Sequence, residues 1–219
     1  MLEEKITRLK RELIGYAALV EHMIESSIEG LLQRKKEMLH DVIEKEEPKA
    51  NSLEVELDEL CTNLIALYEP RARNLRTILM GLKMNNDLER MADHAVNIAE
   101  SGLFLIERPL VKRLIDIPNM AKVTMEMLKD SINSFINEDA TLARSVCEQD
   151  DIVDGLRDQI LRELITFMSS DASTIERSFH LLRISSNLER ISDLSTNIGE
   201  DVIFMVEGKI IKHHQEEFK

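Results

Sequence analysis

The sequence predicts an all-α protein built as two tandem, pseudo-repeated three-helix bundles, and three observations carry that reading. Apolar residues recur at helical spacing, a twenty-residue stretch repeats 100 residues later, and no segment alternates as a strand would. The 219-residue chain has no tryptophan and 4% aromatics; its apolar content comes from Leu, Ile, Val, Ala and 11 Met, a usage suited to helices.

The four prolines, Pro48, Pro70, Pro109 and Pro118, punctuate the chain, because proline interrupts helical hydrogen bonding except in a first turn. Residues 3 to about 45 read as one helix, with a break near Arg34 to Glu37. Residues 48–68 read as a second, with Leu53, Leu57, Leu60, Leu64 and Leu67 on one side. Residues 71–107 read as a third, about 55 Å long at helical rise. Pro109 to Pro118 reads as the connector, so the first repeat is assigned to residues 1–109 and the second to 110–219.

Setting residue n against n+100 from Leu88 to Glu107 matches Leu88, Glu89, Arg90, Asp93, Asn97, Ile98, Glu100, Phe104 and Glu107 with identical residues. Chance would match roughly one or two. Upstream the offset drifts to 103 or 104, pairing Met23 with Met127, Ser27 with Ser131, Val42 with Val146 and Glu44 with Glu148, as a short deletion in the second connection requires. Three amphipathic helices with short connections pack as an antiparallel bundle.

The matched stretch carries the signature LERxxDxxxNIxE. At 100° per residue, Glu89, Asp93, Asn97 and Glu100 share an arc of about 80°, opposite Leu88, Met91, Ala95 and Ile98, so the stripe is expected to face outward. Glu189, Asp193, Asn197 and Glu200 repeat it. Asp150 and Asp154 add another i, i+4 pair on the preceding helix, and Glu47 with Asn51 stands in the corresponding place in the first half. Like charges four residues apart repel by about 0.2–0.5 kcal/mol, a sign that a bound cation would reverse. Carboxylate and amide oxygens without His or Cys are hard ligands, suited to Mg, Mn, Ca or iron more than to a sulfur-rich zinc site. The bland alternative is a solvated helix face, with Arg90 and Arg190 pairing locally.

Asp and Glu outnumber Lys and Arg by 41 to 28, which argues against a nucleic-acid partner. Cys61 and Cys147 lack CxxC spacing and read as reduced core residues of a cytosolic protein. The charged N-terminus lacks a signal-peptide pattern, and no run of eighteen apolar residues predicts membrane insertion. Phosphate-loop and hydrolase motifs are missing. Glu37 and His40 form one ExxH, where a di-iron bundle needs two. His94, replaced by Leu194 in the second half, is assigned a local surface role, and His213 and His214 fall in a polar tail. Met120, Met125 and Met127 read as core or contact residues, and Gly81 and Gly199 as points of close helix approach.

At NNDLERMADHAVNIAE (85–100) and SSNLERISDLSTNIGEDVIFMVEG (185–208) the sequence resembles the PhoU family of phosphate-transport and phosphate-regulon regulators. The likeness extends through VIEKEEPKANSLEVELDEL, VCEQDDIVDGLRDQILREL and PRARNLRTIL. The resemblance implies PhoU-like bundles, a cytoplasmic location, a homodimer and negative regulation of phosphate uptake and starvation signalling. It implies two partners, the ATPase subunit of a phosphate ABC transporter and a phosphate-sensing histidine kinase, with no nucleic acid. It also implies iron or another divalent metal (Zn, Mn, Mg) on [ED]xxxD helices, mapping to Glu89 and Asp93, Glu189 and Asp193, Asp150 and Asp154, with Glu47 a weaker match. Asn51 stands in place of an acid, Leu194 in place of a histidine, and Ser195 and Gly199 in place of alanines. The expected function is a non-enzymatic adaptor; the alternatives are a metal-carboxylate bundle with redox or storage activity and a purely structural dimerisation module.

Overall fold

A computed structural model describes residues 2–208 and is all-helical, with no strand among them. His213 and His214 lie outside the described residues. Helix α1 (Leu2–Gln33) buries Ile6, Leu9, Leu13, Tyr16, Val20, Met23, Ile24 and Leu31, the three-and-four spacing of one amphipathic face. It stops at Arg34, whose φ of 54° is left-handed, and the Lys35 N–H turns back to the Gly30 carbonyl at 2.9 Å. The break therefore falls where the sequence placed it. The second half repeats it 104 residues on, with Glu138 at φ 53° and Asp139 N–H bonded to the Ser134 carbonyl at 2.9 Å. This six-to-one closure satisfies carbonyls that the helix end leaves open.

The expected division at Pro48 is not observed. After the break, α2 (Lys36–Asp41) runs through a π-turn over Val42–Glu46 into α3 (Glu47–Tyr68), with Pro48 in the first turn of α3. There its missing N–H costs little, and the wider π-turn absorbs the ring. Helix α4 (Ala72–Ile106) completes the first half. The second holds α5 (Asp116–Asn137), α6 (Ala140–Ser170) and, after a short 3-10 turn, α7 (Ile175–Glu207). Asp139 caps α6 by accepting from the Thr141 and Leu142 amides.

In the connector, Lys112 is almost closed from solvent and binds Asp116 at 2.6 Å and also Glu163, tying the linking segment to α6. Within each half the third helix packs against the other two. The two third helices also pack against each other, antiparallel, with α3 flanking α4, α6 flanking α7, and α1 meeting α5. One apolar core runs through both halves; Met120 and Met127 are buried in it and Met125 packs at its margin. Gly199 marks a close approach as expected, since a Cβ there would stand 3.0 Å from the Ala143 carbonyl oxygen of α6. No helix among the described residues is long and apolar enough to cross a membrane.

Candidate functional site

Two signature helices lying antiparallel bring their matched faces to one place. The buried sides behave as the helical period requires: Leu88, Met91, Ala95 and Ile98 of α4 are closed to solvent, as are Leu188, Ile191 and Ile198 of α7. Of the polar stripes, Asp93, Glu100, Asp193 and Asn197 are exposed, as expected, and the rest are half-buried. Asp93, Asn97, Asp193, Asn197 and Glu200 line one cavity of about 830 Å³ between the halves, with Asp150 of α6, His94 and the two signature arginines, Arg90 and Arg190. The outward direction agrees with the structure; docking α4 against α7 adds that Asp93 and Asn97 of one stripe border a shared groove with Asp193, Asn197 and Glu200 of the other.

Each stripe also meets acids of the helix before it. Burial raises the Glu47 carboxyl above its ordinary range, and Asp93 and Glu100 raise it further. Glu89 is raised by burial, then by Asp93 and Glu54, with Arg90 opposing. In the second half burial raises Glu189, opposed by Arg157 and reinforced by Asp154 and Asp150. Asp193 is raised by burial, Glu189 and Asp154. Crowded carboxylates that hold protons too tightly, offering only hard oxygen donors, suit a divalent cation. They stand apart, though: among the described residues no three His, Cys, Asp or Glu side chains are placed to hold a metal ion.

Asn97 and Glu100 are engaged across the joint. Arg183 of α7 donates to the Asn97 side-chain oxygen and, at 2.9 Å, to Glu100, while the Asn97 amide donates to the Asp93 carbonyl at 2.9 Å. Lys83 reaches Asp201 at 2.7 Å near the other end. His94 has no merely local surface role: half-buried, its Nδ1 lies 2.9 Å from the Asn187 oxygen on α7. Local pairing of Arg90 is seen, at 3.7 Å from Asp87. Glu37 and the half-buried His40 form no paired site; His40 Nδ1 lies 3.4 Å from Glu44.

Sequence reasoning missed Glu54, Asp87, Arg183 and Asn187. Glu54 was within reach, because it continues the Glu47 and Asn51 line by one turn; at the equivalent place 103 residues on stands Arg157. Asp87 is a buried carboxyl raised to about 6, first by burial and then by Asp201, against Arg90 and Lys83. By position it answers Asn187, and in the antiparallel pairing Leu194 stands where His94 stands for Asn187. Thus the second signature offers Asp87 no imidazole.

The fold and the groove define a class: tandem three-helix repeats whose third helices pack antiparallel and present matched acidic signatures between them. The PhoU domain model matches residues 13–102 and again 117–202, and the chain belongs to the PhoU family. It is 39% identical to a phosphate-specific transport system accessory protein PhoU homolog of Aquifex aeolicus, over 97% of this chain and 96% of that protein. A second homolog, from Thermotoga maritima, is 33% identical over 99% of this chain and 92% of its own length. The crystal structure of PhoU from Pseudomonas aeruginosa superimposes with a TM-score of 0.92 at 29% identity, covering 95% of this chain and all of that one.

Proposed function

We propose that this protein is an accessory regulator of phosphate transport that restrains phosphate uptake and phosphate-starvation signalling. The observation that carries this reading is the match of both halves to one family, with relatives named for phosphate-specific transport aligned along nearly the whole chain. In this reading it is a cytoplasmic, homodimeric adaptor between the ATPase subunit of a phosphate ABC transporter and a phosphate-sensing histidine kinase, and it performs no bond-making chemistry.

The acidic faces would hold divalent cations, with Glu47, Glu89 and Asp93 as donors in the first half and Asp150, Asp154, Glu189 and Asp193 in the second. Asn97, Glu100, Asn197 and Glu200 stand at the ends of the same stripes. A bound cation would neutralise the repulsion within each stripe. Because Asp93, Asn97, Asp193, Asn197 and Glu200 line the joint between α4 and α7, that neutralisation would act on how the halves meet. The protein's own contribution is the placement of the carboxylates and the Arg183 tie that fixes the joint.

The test is a deletion strain grown in excess phosphate. Elevated phosphate uptake and starvation-gene expression, restored to normal by the intact gene, support the proposal. Normal behaviour in a strain with no second copy overturns it.

A further inference from the structure

At the end of the molecule where α1 and α4 stop and α7 begins, the connector between the halves borders a recess of about 190 Å³, a volume that about six waters would fill. Leu31, Leu105 and Leu181, all buried, line it from those three helices, and Leu32, Pro109 and Leu110 stand exposed at its rim. Leu32 is 42% and Leu110 59% exposed, so apolar surface around the recess is left to water. The recess shares no lining residue with the acidic groove.

The charge around it runs against that of the chain, whose formal net charge is -13. Arg34, Lys35, Arg108, Arg113 and Arg177 gather here, and none is ion-paired with a carboxylate among the described residues. Arg34 donates to the Ile106 carbonyl and, at 3.1 Å, to that of Arg108. Arg108 donates to the Phe104 carbonyl at 2.8 Å, its guanidinium 3.4 Å from the centre of the Phe104 ring. Arg177 donates to the Pro109 and Ser173 carbonyls at 2.9 and 3.0 Å. Carbonyls orient a guanidinium without cancelling its charge. Lys35 and Arg113 are exposed, and Arg113 sits between the lining residues Val111 and Leu114. Of the acids on residues 31–37, 104–116 and 175–181, Glu107 is held by Lys36 at 3.2 Å and Asp116 by Lys112 at 2.6 Å. Only Glu37 and Glu176 remain to offset the five cations.

We infer that this recess is a docking site for an acidic amphipathic helix of a partner protein, which seats one apolar side chain between Leu32 and Leu110 and sets its carboxylates against Lys35, Arg113 and the arginines. A single anchor filling a pocket inside a charged rim is how such helices are held. An anionic bilayer matches less well. It has no side chain to seat in a recess, and its extended surface meets the negative field of the whole chain, whereas a short helix feels charges within about 8 Å at physiological salt. The inference goes beyond the assignment to phosphate transport and stands whether or not the acidic faces take up metal.

Random peptides of about sixteen residues, some four helical turns, displayed on phage are selected on the full chain and counter-selected on a Lys35→Glu, Arg113→Glu variant. Both side chains are exposed, and a melting curve checks that the variant keeps the fold. Selected peptides are synthesised and titrated by fluorescence anisotropy. They should carry Glu or Asp around one Leu, Phe or Trp, bind the double variant about tenfold or more weakly, lose affinity on Leu110→Ser, and weaken as salt rises. Peptides without acidic bias, or affinities within about twofold of the parent on both variants, overturn the inference. So does flotation of the full chain with phosphatidylglycerol vesicles that the double variant loses, a result that assigns the surface to a membrane.

Discussion

His94 Nδ1 lies 2.9 Å from the side-chain oxygen of Asn187, one hydrogen bond joining the third helices of the two halves. The Asn187 amide donates to the Arg183 carbonyl at 2.7 Å, which leaves the oxygen as acceptor and places the imidazole proton on Nδ1. Burial and then the neighbouring arginines, against the Asn187 bond, hold the ring's pKa below the ordinary histidine value, so the neutral form is the one that serves the joint. Leu194 at the equivalent place shows that only one such bond is built.

Replacing His94 by leucine should therefore loosen the joint even though Leu194 is accommodated in the second half. The Asn187 oxygen, on a residue nearly closed to solvent, loses its donor. A stability loss of about 1–2 kcal/mol is expected, read as a lower urea midpoint. An unchanged midpoint would mean that the bond contributes nothing net.

Asp87 gives a pH dependence whose sign follows from its raised carboxyl. The unfolded value is 3.8 and the folded value about 6, so the folded state binds the proton more tightly. Its contribution to stability grows as pH falls from above 6 toward 3.8 and is lost as pH rises through 6. Asp87→Asn should raise the melting temperature at pH 7.5, and the advantage should shrink by pH 5. A gain equal at both pH values would refute the assignment.

Two glycines of the second half should respond in opposite directions to alanine. At Gly199 a Cβ meets the Ala143 carbonyl at 3.0 Å, and rigid backbone must shift, which costs about 1–3 kcal/mol. Gly155, on an exposed turn of α6, has nothing within 4 Å. There alanine should add about 0.5–1 kcal/mol by restricting the unfolded chain and favouring the helix. Chemical denaturation of the two variants reads both signs at once.

Divalent cation should stabilise the protein, and most where the stripes are intact. Mn2+ at a hundredfold excess over its dissociation constant adds about 2.7 kcal/mol per site. Asp93→Asn with Asp193→Asn should abolish most of the resulting thermal shift, measured by scanning calorimetry after chelation and reloading. If the double variant shifts as far as the parent, these aspartates do not hold the metal.

Much of this architecture was legible in the linear sequence. The period of Leu88, Met91, Ala95 and Ile98 fixes which side of α4 is buried, and the match of Leu88–Glu107 to residues 188–207 reveals the duplication. The change of pattern near Arg34 marks the end of α1. Pro48 misled because proline was read as a divider, whereas a π-turn ahead of it lets one helix continue. Glu54 was overlooked because it has no acidic twin in the second half.

What the sequence alone determined is thus the helical periodicity, the repeat and the chemistry of each stripe, all of which depend on residues a few positions apart. Only the tertiary structure decided that the stripes share a groove, that Arg183 holds Asn97 and Glu100, and that His94 meets Asn187. Those partners are some ninety residues apart in the chain, and a helical wheel gives a side chain's direction about its own axis while saying nothing of what stands opposite. The antiparallel packing of α4 on α7 supplies that missing half, bringing Asp93 and Asn97 of one stripe and Asp193, Asn197 and Glu200 of the other to one cavity.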